Sequence, residues 1–304
     1  MIKIIVFFIF FILLILFFIY YNKNVKNNKL IIIEDNLTKG INKYPSLLIL
    51  NNDAKYTNII TNKNDKILIT YKNNDENIYY SYLNLDNCQI INDNDKNSYD
   101  NDREPLKLIN EKNLNNTRLF SFNYMLFLSS NYENKVKITS IQTFNTIESN
   151  LNLINTYKNK DWCFFSHKNK FYVIYSISPF IIYEIDEKTF DIIFKVVNEN
   201  WIHKDLQLGT TPVLIENKFY MVAILPNNKM IFVVFSAFDF KLYAYSNEYI
   251  CEDDKCTSNI YTPFGLIYNK LDKNFYISIN IENYKIGIMK INLNFIKSKL
   301  KILN

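Results

Sequence analysis

"WCFFSHKNKFYVIYSISPFIIYEIDEKTF", residues 162–190, reads as two aromatic-rich apolar strands folded about a polar corner at His167–Lys170, with a third strand following. β-branched and aromatic runs bounded by polar turn residues mark strands. The same order returns four more times. It stands in "KILITYKNNDENIYYSYLNLD" (66–86), "RLFSFNYMLFLSSNYENKVKITSIQTF" (118–144), "TPVLIENKFYMVAILPNNKMIFVVFSAF" (211–238) and "FGLIYNKLDKNFYISINIENYKIGIMKINL" (264–293). The spacing is about fifty residues, which points to repeats of one supersecondary unit.

A unit of three or four strands is too small to bury both of its faces, so neighbouring units must cover them. Five such units stacked about an axis make a five-bladed β-propeller, and the expected fold class is all-β. From residue 44 onward no stretch keeps a 3.6-residue apolar period with caps. A β-sandwich would give no reason for the same strand order to recur five times. In a propeller the innermost strand of each blade opens toward the central cavity. The openings Arg118, Trp162, Thr211 and Gly265 are therefore expected near one mouth.

With 304 residues the chain is long enough to bury a large core, roughly three quarters of its unfolded surface. Abundant Asn, Ile, Lys, Tyr and Phe beside scarce Gly and Pro look like a codon bias toward A and T, so single Asn and Lys residues carry little weight. Residues 4–21, "IIVFFIFFILLILFFIYY", are uncharged and long enough for a membrane helix. No small-residue cleavage site follows them, so residues 1–21 are expected to be an uncleaved signal anchor. Residues 22–43 are read as a polar stalk, except that "LIII" (30–33) can instead form a first strand closing the domain. Residues 44–304 are expected to be the propeller.

Lys3, Lys23, Lys26 and Lys29 flank the apolar segment and carry most of the net charge of +5; without them 31 basic residues face 30 acidic ones. The body is electrically balanced and shows no basic stripe interleaved with aromatics, so no nucleic-acid partner is expected. Counting lysines on either side of the apolar segment places the body in the cytosol. A lumenal or extracellular body is the expectation carried forward, and the conflict stays open. Of the four cysteines, Cys251 and Cys256 in "CEDDKC" are near enough to close a small loop in a lumen, or else are two exposed thiols. No C-x-x-C exists, and with only His167 and His203 no metal site is expected.

Four motifs, in order, carry a resemblance. They are "NNTRLFSFNYMLFLSSN" (115–131), "KDWCFF" (160–165) with "FYVIYSISPFIIYEID" (171–186), "GTTPVLI" (209–215), and "PFGLI" (263–267) with "FYISIN" (275–280). Together they resemble the Glu-Asp-Pro-Arg-Leu-Phe, Lys-Asn-Trp with Tyr-Ser-x-x-Pro, Gly-Gly-Thr-Pro and closing-blade segments of glycoside hydrolase family 130. That family comprises five-bladed mannoside phosphorylases and hydrolases, with divergent relatives in large DNA viruses and microbial glycan pathways. The similarity runs from about residue 45 to 293.

The resemblance implies a general acid at the family's Asp, where this chain has Asn116 within Asn115-Asn116-Thr117-Arg118. The family's later Asp or Asn falls in "NIEN" (280–283), and its His after Thr-Pro is replaced within "FYMVAIL" (219–225). Glycoside cleavage needs a proton donor and a second group to deliver the nucleophile, and an amide cannot donate on demand. Catalytic residues are left unassigned, with Asp161 and Glu104 as acids that could substitute.

What remains suits binding. Arg118 offers a bidentate grip, Lys160 and Asp161 reach hydroxyls, Trp162 offers a stacking face, and Thr211 opens its repeat beside them. The plainer alternatives are a blade-packing role for Trp162 and an inter-blade ion pair for Arg118. The expected partner is a glycan or glycoconjugate, with the membrane engaged through the N-terminal helix and no cofactor. The reading is a membrane-anchored glycan-binding propeller with impaired catalysis. Its alternative is an active hydrolase, phosphorylase or mannosyltransferase on β-linked hexosides that uses a displaced acid.

Residues 93–104, "DNDKNSYDNDRE", imitate a calcium loop but place Ser98 where glycine is needed and have no flanking helices, so they are read as a solvated loop. Sequons stand at Asn36 and Asn115. Nucleotide-binding glycine loops and a nucleophile elbow are absent.

Overall fold

The computed structural model describes residues 11–15, 29–32, 43–50, 56–57, 59–60, 65–72, 77–85, 89–91, 106–109, 115–122, 125–132, 135–141, 146–148, 162–189, 191–198, 205–246, 261–282 and 285–303. Their strands form five sheets, each consisting mainly of antiparallel pairs. The sheets follow the five sequence repeats and are numbered here as blades 1 to 5.

The two-residue strands Tyr56–Thr57 and Ile59–Ile60 pair on the inner edges of blades 1 and 5, and each blade begins with its innermost long strand. In blade 1 this is Lys43–Leu50, followed outward by Lys66–Lys72 and Ile78–Asn84. Blade 2 runs Asn115–Phe122, Met125–Tyr132, Lys135–Ser140, Thr146–Glu148. Blade 3 runs Cys163–His167, Lys170–Ile177, Phe180–Ile185, Ile192–Asn198. The inner strand of blade 4 is broken into Gln207–Leu208 and Val213–Ile215, both paired with Lys218–Ile224, and Met230–Ser236 and Leu242–Ser246 lie outside them. Blade 5 runs Tyr261–Asn269, Asn274–Ile281, Lys285–Asn292.

Ring closure is visible in the core, which divides into clusters lying between consecutive blades. Phe120, Phe164, Phe171 and Tyr183 join blades 2 and 3. Phe165, Phe180, Phe219 and Phe235 join blades 3 and 4. Val222, Phe232, Phe275 and Ile277 join blades 4 and 5. Leu47, Tyr71, Tyr276 and Ile288 join blade 5 to blade 1, and Leu68, Leu119 and Leu128 join blade 1 to blade 2. Side chains alternate across a strand, so within the second strand of blade 3 Phe171, Val173 and Tyr175 face blade 2 while Tyr172 and Ile174 face blade 4. Both faces of a blade are thus dry, which explains why these strands read as continuous apolar runs. Phe120 alone stacks on Phe127, Phe164 and Phe171 at centroid distances of 5.3 to 5.5 Å.

The polar corner of the opening stretch is a two-residue hairpin. His167 pairs with Lys170, and Lys168 and Asn169 both have positive φ, at 50° and 58°. That is the geometry of a type I′ turn, whose twist matches the flanking strands.

Both ends of the chain supply outer strands. Lys29–Ile32, inside the expected stalk, pairs with Lys285–Asn292 as the fourth strand of blade 5, so the sheet begins well before residue 44. The physical reason is that the third strand of blade 5 would otherwise present an open row of backbone donors and acceptors. At the other end the helix Leu293–Lys299 is capped by Asn292 and buries Leu293, Phe295 and Ile296 between blades 4 and 5. It delivers Leu300–Ile302 to the outer edge of blade 4.

Of the expected anchor, only residues 11–15 are described; they are helical and exposed. Among the described residues no helix is long and apolar enough to cross a membrane.

Candidate functional site

The inner strands start at one end of the ring, here called the mouth, and three local features shape it. The first is a bulge in blade 2. Arg118 pairs with Ser129 and Asn115 with Asn131, so Asn116 and Thr117 together face Ser130. Asn116 takes a φ of 50°, in the left-handed region that asparagine tolerates better than most residues. A bulge of this kind re-aims the side chains that follow it.

The side chain that follows is Arg118. It is 2% exposed and points across the axis. Its Nη1 donates to the Gly209 carbonyl and to the Phe264 carbonyl at 3.2 Å, and its Nη2 donates to the Leu208 carbonyl at 3.3 Å. The guanidinium also lies 5.4 Å from the centroid of the Phe264 ring. One side chain of blade 2 thereby binds the inner strands of blades 4 and 5. Among the described residues it meets no carboxylate; its charge is balanced by carbonyl dipoles and an aromatic face.

The second feature is close approach at the two glycines on the axis. A Cβ on Gly209 would stand 2.5 Å from the Val222 carbonyl oxygen and 2.8 Å from Pro263. One on Gly265 would stand 2.4 Å from the Leu47 nitrogen. The Gly209 and Thr210 amides both donate to the Val222 carbonyl at 3.1 Å, which marks the break in the blade 4 inner strand and turns the Gly209 carbonyl toward Arg118.

The third feature is a set of serine clasps between blades. Ser46 Oγ of blade 1 accepts from the Leu119 amide of blade 2 at 2.8 Å. Ser278 Oγ of blade 5 accepts from the Gly265 amide at 2.9 Å and donates to the Pro45 carbonyl of blade 1.

The residues expected from sequence are placed as follows. Arg118 and Thr211 lie in the ring interior, and Thr211 is 1% exposed. Trp162 opens the inner strand of blade 3 but is buried in the cluster between blades 2 and 3, 5.4 Å from the Tyr175 ring. Lys160 and Asp161 lie outside the described residues, as do Glu104, His203, the loop 93–104, Asn36 and Cys88, Cys251 and Cys256. Cys163 is fully buried. Among the described residues no cluster of His, Cys, Asp or Glu could hold a metal.

Sequence reasoning missed Ser130, Thr70 and the clasp serines. Ser130 Oγ, Thr70 Oγ1, Thr211 Oγ1 and Asn280 Oδ1 are buried without a hydrogen-bond partner among the described residues, and so is Arg118 Nε. Asn280 pairs with Thr262 at the mouth end of blade 5, inside the "NIEN" segment singled out from the resemblance. The available signal for the others was a hydroxyl inside an apolar run, as in "MLFLSS" (125–130), since a buried hydroxyl requires a partner.

No family model and no curated protein sequence matches the chain. Solved structures do. A glycosyl hydrolase from Bacteroides ovatus superposes with a TM-score of 0.52 at 8% identity, over 84% of this chain and 85% of that one. A β-1,2-mannobiose phosphorylase from Listeria innocua gives 0.52 at 11% identity, over 89% and 99%. The RS223 β-xylosidase gives 0.53 at 7% identity, over 87% and 95%. The chain has the fold of these glycan-processing propellers. At such identities the likeness is one of fold, and it agrees with the resemblance carried by the sequence motifs.

Proposed function

We propose that this chain is a membrane-anchored propeller that binds a glycan at its mouth and is impaired in glycoside turnover. The observation that carries the reading is the bulge at Asn116. The resemblance puts the proton-donating Asp of the glycan-processing propellers at this position, and the backbone there has a left-handed conformation that Asp and Asn both accept. The position is kept and its proton is gone. Ser130, which faces the bulge, and Thr211 and Asn280 on the inner parts of blades 4 and 5 carry buried hydroxyl and amide groups, the mixed donors and acceptors that sugar hydroxyls take.

In this reading Thr211, with Lys160 and Asp161 from the lead-in to blade 3, contacts the saccharide. Trp162 shapes the lip by packing on Tyr175. Arg118 acts from behind, with its Nη groups committed to the scaffold and its buried Nε left without a hydrogen-bond partner among the described residues. Residues 1–21 supply the anchor, and the propeller lies in a lumen or outside the cell.

The test is saccharide binding by calorimetry together with turnover of aryl β-mannosides. A positioned general acid contributes on the order of 10² to 10⁴ in rate, so the unaltered chain should turn over near background and Asn116→Asp should gain activity if the second catalytic group persists. Robust turnover by the unaltered chain, unchanged in Asn116→Ala, would return the displaced-acid enzyme to first place.

A further inference from the structure

The end of the ring opposite the mouth is where the N-terminal segment joins it. Tyr261 at the mouth pairs with Ile281, which pairs with Lys285, and along the third strand of blade 5 the register continues to Asn292 at the far end. Lys29 pairs with Lys290 and Ile32 with Gly287, so the chain enters blade 5 at the far end and runs toward the mouth. Between the last residue of the apolar segment, Tyr21, and Lys29 lie only residues 22–28. Seven residues span at most about 25 Å. The long stalk read from the sequence is thereby shortened, because part of it is a strand of the propeller.

The far end is also where the exposed apolar side chains collect. Outside residues 11–15, eight large apolar residues are exposed among those described: Met125, Ile192, Ile193, Phe194, Val197, Phe238, Leu271 and Ile302. Met125, Phe238 and Leu271 sit at or beside far-end turns of blades 2, 4 and 5, at 41%, 72% and 52% exposure. Ile192, Ile193 and Phe194 lie at the far end of the outer strand of blade 3, beside Ile185. Ile302 is midway along blade 4, and only Val197 lies toward the mouth. Single exposed apolar residues are ordinary, but tips gathered on one end of a ring are not.

Charges at this end are mixed. Lys168, Lys188, Lys218, Lys241, Lys270 and Lys273 stand among Asp186, Glu187, Asp191, Glu216, Asp239 and Asp272 in the described far-end turns. Lys168 lies over the Phe238 ring with its Nζ 5.4 Å from the centroid, an amphipathic pairing suited to the boundary of water and lipid.

We infer that the propeller lies on the bilayer that holds its N-terminal segment, far end down, with Phe238 and Leu271 inserted at the lipid surface and the mouth turned away from the membrane. The inference rests on the anchor reading of residues 1–21. Mixed charge makes the contact one of apolar insertion under a short tether, so zwitterionic lipid suffices. The mouth then meets glycans that approach from the aqueous side.

The experiment uses the full chain reconstituted in phosphatidylcholine vesicles with brominated acyl chains, which quench nearby tryptophan. Phe238→Trp and Leu271→Trp are compared with Asn227→Trp, at an exposed turn on the mouth side, after subtracting the parent emission. Flotation of the same vesicles reports the anchor separately. The expected result is flotation with strong loss of emission for Trp at 238 and 271 and none at 227. Flotation with all three positions equally unquenched overturns the docking and leaves the anchor standing. Failure to float removes the anchor and the docking with it.

Discussion

Replacing Arg118 by methionine tests whether the axis is held by one side chain. Methionine keeps much of the aliphatic volume but leaves the Leu208, Gly209 and Phe264 carbonyls without their guanidinium donor inside a closed ring. A buried acceptor stripped of its partner costs about 1 to 3 kcal/mol, and the lower figure suits carbonyls that keep some other partner, giving about 3 kcal/mol in total. Against this stands relief from burying a charge, which in other proteins has made apolar replacements neutral or stabilising. The structure favours the loss, because the three carbonyls belong to two blades and have no apolar substitute. In a domain of this size about 3 kcal/mol lowers Tm by roughly 6 to 12 °C. Urea unfolding followed by fluorescence, with the slope checked for a single transition, gives the free-energy change directly. Arg118→Lys should fall between, since one ammonium cannot span all three oxygens. A methionine variant as stable as the parent, with saccharide affinity lost instead, would refute the scaffold role and return Arg118 to ligand contact.

Gly265→Ala should destabilise the ring by about 1 to 3 kcal/mol, because its Cβ meets the Leu47 backbone nitrogen, which cannot swing aside, as well as Ser278 Oγ; differential scanning calorimetry checks this. At Asn116, glycine should match or exceed the parent in thermal melts, whereas valine should cost about 1 to 2 kcal/mol for its left-handed backbone. Burial raises Tyr172, helped by the Glu184 carboxylate, and burial likewise raises Tyr220, each to about 12. Their neutral forms are favoured in the fold, so stability is full below the ordinary value of 10 and falls as pH climbs from there to about 12; the double Tyr→Phe variant should flatten that alkaline limb. Burial also holds His167 below its ordinary 6.5, against the pull of the Ala237 carbonyl, so its contribution is present above that value and lost as pH falls; His167→Phe should remove part of the acid-side loss in urea midpoints. A chain beginning at residue 29 should stay monodisperse in light scattering, while one beginning at residue 34 uncovers the edge of blade 5 and should aggregate.

The sequence alone determined the blades. Strand, polar turn and aromatic strand are local patterns, and repeating them five times with both faces apolar leaves few arrangements other than a closed ring. The hairpin at His167–Lys170 was legible for the same reason, since a two-residue turn is specified by the residues within it. The interest in Asn116 came from motif order, whereas its left-handed backbone became visible only in the folded chain. What Arg118 touches was not legible. Its partners are backbone carbonyls 90 to 146 residues away, and carbonyls carry no signature in sequence. Trp162 could be read either as a sugar platform or as packing, because burial depends on the neighbouring blade and not on the strand that holds it. The role of residues 29–32 also needed the tertiary structure: an apolar run of four residues reads alike as a patch on a stalk or as an outer strand, and only the open edge of blade 5 decides between them.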